Sequence, residues 1–123
     1  SLHNQIKTIN LSKSRLTKFK CLLVKKLLTN YYKKKIIIKK PNDLLIQKKK
    51  ISGILQEIVH ILDRKFLVVG IGINIRKSPK IKNYPTTNLY DLTNKHFNKR
   101  EIENKLKLIF ETNFSKMYKV NKN

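Results

Sequence analysis

Alanine and tryptophan are missing from this chain of 123 residues, and cysteine occurs once, at Cys21. One cysteine excludes an internal disulfide and fits a reducing compartment, so a cytoplasmic location is expected. His3, His60 and His96 are far apart and have no cysteine partners at metal-ligand spacing, which argues against a zinc site. No apolar run approaches the ~20 residues that span a bilayer. The N-terminus also lacks the charged-then-apolar pattern of a secretory signal, and no internal repeat is visible. No membrane association is therefore expected. Acidic residues are few as well: 7 against 29 lysines and arginines, for a net charge of +22.

Such a charge first points to a polyanion partner. Arginine, the residue suited to bidentate phosphate and base recognition, is confined to Arg15, Arg64, Arg76 and Arg100. Lysine, isoleucine and asparagine share A/T-rich codons and alanine does not, so base composition alone would produce this bias. The charge is discounted as evidence for nucleic acid. What is present is a folding chain, 40% hydrophobic and long enough for one domain with a real core. It begins at Ser1 rather than Met and reads from Leu2 like the middle of a fold, so a fragment is expected.

Leu2, Ile6 and Ile9 alternate in part and predict a strand over 1–9. Ser12 or Ser14 is placed to cap a helix running to about Thr29, with Leu16, Phe19, Leu23 and Leu27 on one face and Lys13, Lys18 and Lys25 away from it. Cys21 within that helix reads as a small buried residue. Ile36-Ile37-Ile38 predicts a short buried strand. Pro41 ends it by lacking a donor and by turning Lys40 away from helix. Leu44 to Ile46 reads as a strand, Gln47 to Lys49 as a turn, and Lys50 to Val59 as the return. Asp63 to Lys65 forms the next turn and Phe66 to Ile75 a strongly apolar strand, completing an antiparallel meander. Residues 76–98 lack periodicity and predict a long loop. Asn98 is placed to cap a last helix over about Arg100 to Tyr118, with Ile102, Leu106, Ile109, Phe110, Phe114 and Met117 as its apolar stripe. The tail beyond is expected to fray. The class is α+β, a mixed, largely antiparallel sheet with flanking helices.

Gly70-Ile71-Gly72-Ile73-Asn74 fails as a dinucleotide loop, because no third glycine and no helix follow. Alternation puts Gly70, Gly72 and Asn74 on one side of the strand. Packing against a helix or a bulge would explain the glycines; a flat floor for a planar ligand, with Asn74 at its edge, would also do so. Pro41-Asn42-Asp43 alone is a turn signal, and Lys48 to Lys50 alone a solvated hairpin turn. Together they are more informative. Lys39 leaves a strand, Asp43 sits at the corner, and Lys50 enters a strand just before Ser52-Gly53. Two lysines and a carboxylate beside a glycine floor suit a phosphate with its magnesium.

Three motifs in this order, K-K-P-N-D at 39–43 (the family's K-W-P-N-D), K-x-x-G-I-L-x-E at 50–57 and G-I-G-I-N at 70–74, resemble those of the biotin–protein ligases. "YPTTNLYDL" at 84–92 and the closing helix are similar to that domain's Thr-Ser-Leu segment and last helix. The resemblance implies a fold like the class II aminoacyl-tRNA synthetases and a two-step reaction. Biotin and ATP give biotinyl-adenylate and pyrophosphate, and the acyl group then passes to a lysine of the biotin carboxyl carrier protein of acetyl-CoA carboxylase. On the matching positions, Lys50 is the catalytic lysine, and Lys39 and Asp43 lie near the phosphates and Mg2+, with Asp43 as the metal contact. Asn42 shapes the corner, Gly53 lets the ligand lie close, Gly70 and Gly72 floor the site, and Asn74 meets the adenine. A homodimer is compatible with this reading.

Two departures stand out. Lys40 replaces the family's usual tryptophan. The arginine/glycine loop that closes over biotin, and the Ser/Thr-Asn residues that contact it, have no counterpart in these 123 residues. The expectation is an incomplete catalytic domain over residues 1–119, a frayed tail at 120–123, and little or no activity from this piece alone. A basic RNA- or ribosome-binding module and a lipoate ligase relative are the competing readings. The first does not explain the co-occurrence of the three motifs. The second shares the fold, but the K-P-N-D and G-I-G-I-N pair favours the biotin branch.

Overall fold

A computed structural model describes residues 2–7 and 13–122. Among these described residues five strands form one sheet: β1 (Leu2–Lys7), β2 (Ile37–Lys39), β3 (Asp43–Ile46), β4 (Lys49–Ile61) and β5 (Arg64–Ile73). Their spatial order is β1-β5-β4-β3-β2, and every adjacent pair is antiparallel. The described helices are α1 (Lys13–Leu28), α2 (Leu89–Thr93) and α3 (Lys99–Lys122). No described helix is long and apolar enough to cross a membrane. The α+β expectation, with a meander flanked by an earlier and a later helix, is what the chain adopts.

The core lies between one face of the sheet and helices α1 and α3. Leu44, Ile46, Ile54, Val69 and Ile71 are buried from the sheet, facing Leu23, Val24, Leu27 and Leu28 of α1 and Ile102, Leu106 and Phe110 of α3. Period-two alternation supplies the sheet side of this core, and three- and four-residue steps supply the helical side. Lys20, also on α1, is fully buried. α1 starts at Lys13, which puts Ser14 inside the first turn rather than at the cap; Ser12 lies outside the described residues, as do the side chains of Leu16, Phe114 and Met117. Asn98 does cap α3, its Oδ1 accepting from Glu101 N at 3.1 Å. α3 itself runs to Lys122, through the segment expected to fray.

Several local expectations are corrected. Ile36 is buried, but the strand that follows it is the sheet's edge, and Ile37 is 43% exposed. A β-branched run records a preference for extended backbone and is silent on position within the sheet. The β3–β4 and β4–β5 turns are two-residue turns, at Gln47-Lys48 and Leu62-Asp63, with positive φ at all four residues. That left-handed geometry matches strand twist, and it makes β4 longer at both ends than expected. The segment 76–98 is not loop throughout. Asn88 caps α2 by accepting from Asp91 N at 2.8 Å, and Asn94 closes it with φ 57°.

Candidate active site

The second face of the sheet carries Gly53 opposite Gly72 and Leu55 opposite Gly70 in the β4–β5 register. Three glycines leave this face low, and Leu55 stands 77% exposed. A cleft of about 490 Å³ opens here, and Asn42, Asp43, Lys50, Gly53, Gly70, Gly72 and Asn74 all line it. A shallower hollow of about 290 Å³ adjoins it, lined by Leu55, Gln56, Glu57, Val68 and Gly70. Seven of the eight residues singled out in the sequence therefore surround one space. Lys39, the eighth, pairs with Asp43 across the β2–β3 corner and points its Nζ over the Tyr84 ring, 5.3 Å from the centroid.

A β-bulge creates the central contact. Leu44 faces Ser52 and Leu45 faces Lys50, so Ile51 is an extra residue in β4. Under strict alternation, Lys50 and Gly53 would point to opposite faces. With the bulge, both reach Asp43. Lys50 Nζ lies 3.3 Å from Asp43 Oδ1, and the two side chains keep 28% and 22% of their exposure. The Lys50 chain passes directly over Gly53: a Cβ there would sit 2.9 Å from Lys50 Cε, 3.0 Å from Nζ and 3.6 Å from Asp43 Oδ1. The end of the Lys50 chain thus lies over Gly53, at the position where the sequence reading expected a ligand to lie close. At Gly72 a Cβ would meet nothing closer than Gly53 O at 4.0 Å, so the floor there is open.

The segment after β5 returns to hold Lys50 from the other side. Lys50 N donates to Pro85 O and Thr87 N donates to Lys50 O, each at 2.9 Å, in parallel register. Asn74 fastens that return: its Nδ2 donates to Thr87 O at 3.1 Å, and its main-chain O accepts from Leu89 N at 3.1 Å. Ser52 is buried and its hydroxyl donates to Gly72 O at 2.7 Å, tying β4 to β5 beneath the cleft.

Tyr84 is the residue that sequence reasoning missed. Its hydroxyl donates to Asp43 Oδ2, and its ring lies under both ammonium groups, with Lys50 Nζ 5.4 Å from the centroid. The Asp43 hydrogen bond raises the phenol pKa above its ordinary 10.0, helped by partial desolvation and by the carboxylate's charge. The only available signal was its place as the aromatic opening Y-P-T-T, a segment noted for its threonines.

The profile of the Biotin/lipoate A/B protein ligase family matches residues 3–74. The chain belongs to this family. The ligase-family chain is 37% identical over 54 residues to the biotin–[acetyl-CoA-carboxylase] ligase of Mycobacterium tuberculosis, an alignment covering 44% of this chain and 19% of that protein. It superposes on the biotin protein ligase of Aquifex aeolicus in complex with biotin and ATP with a TM-score of 0.71 and 29% identity, over 98% of this chain and 51% of that one. A biotin-bound mutant of the same enzyme gives a TM-score of 0.78 and 28% identity, over 93% and 48%. The ligase-family chain spans about half the length of these solved relatives. The fold expectation, an α+β sheet with flanking helices of the biotin ligase type, agrees with these superpositions.

No group of three or more metal-ligating side chains exists among the described residues. Asn42 Oδ1 is a buried acceptor with no hydrogen-bond partner, and it precedes Asp43 at the cleft wall. One carboxylate and one amide oxygen do not make a protein-built metal cage. They do suit Mg2+ arriving on a polyphosphate, which retains waters and needs one or two protein oxygens.

Proposed function

We propose that this chain carries the nucleotide side of a biotin–protein ligase catalytic domain. The observation that supports it most is the convergence of Lys50, Asp43 and Lys39 at one end of a glycine-floored cleft, in a chain of this family. In the reaction, a biotin carboxylate oxygen attacks the ATP α-phosphorus, the bond to the β-phosphate oxygen breaks, and pyrophosphate leaves. The amine of a carrier-protein lysine then attacks the biotinyl carbonyl and AMP departs. Lys50 is the group placed to stabilise negative charge on the carboxylate and α-phosphate as they meet, in the manner of a preorganised cation. Lys39 adds a second positive charge for the departing phosphates. Asp43 and Asn42 would hold Mg2+, which supplies neutralisation of phosphate charge. Gly72 leaves the floor open for a planar group, and Asn74 stands at its edge beside the 85–89 segment that it holds.

The adjoining hollow with Leu55 and Val68 offers apolar surface to the acyl end of the substrate. The carrier is the biotin carboxyl carrier protein of acetyl-CoA carboxylase, and the setting is cytoplasmic. No arginine is among the cleft residues, so the 123-residue chain alone is expected to adenylate weakly or not at all. Biotin-dependent ATP–pyrophosphate exchange tests this reading. It should appear when the chain is fused behind the arginine/glycine-loop half of a family member, and vanish on Lys50→Ala. Robust exchange by the isolated chain would refute the expectation that it adenylates weakly or not at all. Exchange with lipoate in place of biotin would move the protein to the lipoate branch. Binding to generic RNA that weakens steeply with salt, without any biotin chemistry in the fusion, would favour the polyanion-binding module.

A further inference from the structure

Resting on that reading, one residue deepens it. We propose that Tyr84 is a positioning residue of the adenylating centre, which occupies Asp43 Oδ2 and carries the two lysine ammonium groups on its ring, keeping Lys50 available to a phosphate. Left alone with Lys50, Asp43 would close on it. Charge-assisted N–H···O contacts settle at about 2.7–2.9 Å, and a closed pair presents little charge to an incoming anion. Here the carboxylate is shared. Tyr84 donates to one oxygen, and Lys50 stands off the other at 3.3 Å.

The ring does a second job. Lys39 and Lys50 lie 5.3 and 5.4 Å from its centroid, inside the ~6 Å reach of cation–π attraction. An aromatic face holds ammonium groups without cancelling their charge, as a carboxylate would. Two cations are thus gathered at one place and remain cationic. Tyr84 is also tied to the backbone it serves. Its N–H donates to Ile81 O at 3.1 Å, and the next residue, Pro85, accepts the Lys50 N–H at 2.9 Å. Movement of Lys50 along β4 therefore carries Tyr84 with it. Tyr84 has no part in the hydrophobic core, so its contacts serve the cleft rather than the packing of the domain.

The test is titration of the full 123-residue chain with magnesium-free inorganic pyrophosphate at physiological salt. The readout is the backbone amide NMR signals of Asp43, Lys50 and Gly53, which separates this site from diffuse binding to a basic surface. Tyr84→Phe should weaken site binding about 3- to 10-fold, the range for one hydrogen bond. Tyr84→Leu, which also removes the ring, should weaken it at least about threefold further. In an Asp43→Asn background, Tyr84→Phe should change affinity by less than about twofold, because the competing charge has gone. A merely structural tyrosine would give the same loss in both backgrounds. That result would overturn the proposal, as would an unchanged Tyr84→Phe affinity, equal affinities for the Phe and Leu variants, or no site-specific response in the parent chain. These outcomes are independent of the exchange assay. A failed exchange with intact coupling removes the ligase reading alone, and the converse removes Tyr84 alone.

Discussion

Gly53→Ala should separate stability from chemistry. The glycine lies within β4, where alanine lowers the entropy of the unfolded chain and is favoured by about 0.5–1 kcal/mol. The new methyl would lie 2.9 Å from Lys50 Cε and 3.0 Å from Nζ. Carbon pairs settle at about 3.5–4.0 Å, so the end of the lysine must retreat by roughly 0.6–1.1 Å. The retreat is inexpensive, because the displaced atoms are the tip of a flexible side chain. It also carries Nζ from 3.3 Å towards or beyond about 4 Å from Asp43 Oδ1. Displacement of a catalytic group by about 1 Å can reduce a rate about 100-fold. We therefore expect a melting temperature equal to or a few degrees above the parent, together with an exchange rate in the arginine-loop fusion lowered about 30- to 100-fold. Thermal unfolding by circular dichroism and biotin-dependent pyrophosphate exchange measure the two quantities on one preparation. A variant less stable than the parent by more than about 1 kcal/mol, or one that retains full exchange, would refute the claim that Gly53 exists to seat Lys50.

Two further outcomes follow from the same geometry. Asn74→Ala removes the donor to Thr87 O and should cost about 0.5–1.5 kcal/mol. Hydrogen exchange should accelerate at the Lys50 and Thr87 amides, which bond within that return, and unchanged protection would show that Asn74 does not fasten it. Cys21 is fully buried, and burial raises its thiol pKa above 9.0, opposed by Lys20 and reinforced by Asp43. A raised folded value means that the folded state holds the proton more tightly. The associated stability is present below pH 9 and declines as pH rises through the folded pKa. Alkylation by iodoacetamide at pH 8 should be at least about tenfold slower in the native chain than in urea, and equal rates would contradict the burial.

Much of the site was legible in the sequence because its residues are carried on adjacent strands of a meander. Neighbouring hairpins bring the strand ends that carry Asp43 and Lys50 side by side by short connections, and alternation alone puts Gly70, Gly72 and Asn74 on one face. Tyr84 and the Pro85–Thr87 return were not legible. They reach Lys50 across more than 30 residues, through backbone bonds that leave no periodic trace. The lysine over Gly53 was hidden for a related reason: a motif shows that a side chain is absent and does not show what occupies the space.

The amino-acid order by itself determined an α+β meander with flanking helices, the three glycines and Lys50 that line one cleft, and membership of a ligase family through three motifs. Those features depend on local periodicity and residue type, which the chain carries whether folded or not. Tertiary structure alone decided that Lys50 and Gly53 share a face. That depends on one extra residue at Ile51, and a bulge becomes visible only when β4 is set against β3. Tertiary structure also decided that Asp43 divides itself between a lysine and a tyrosine, because the tyrosine arrives on a segment whose course is set by hydrogen bonds to distant backbone.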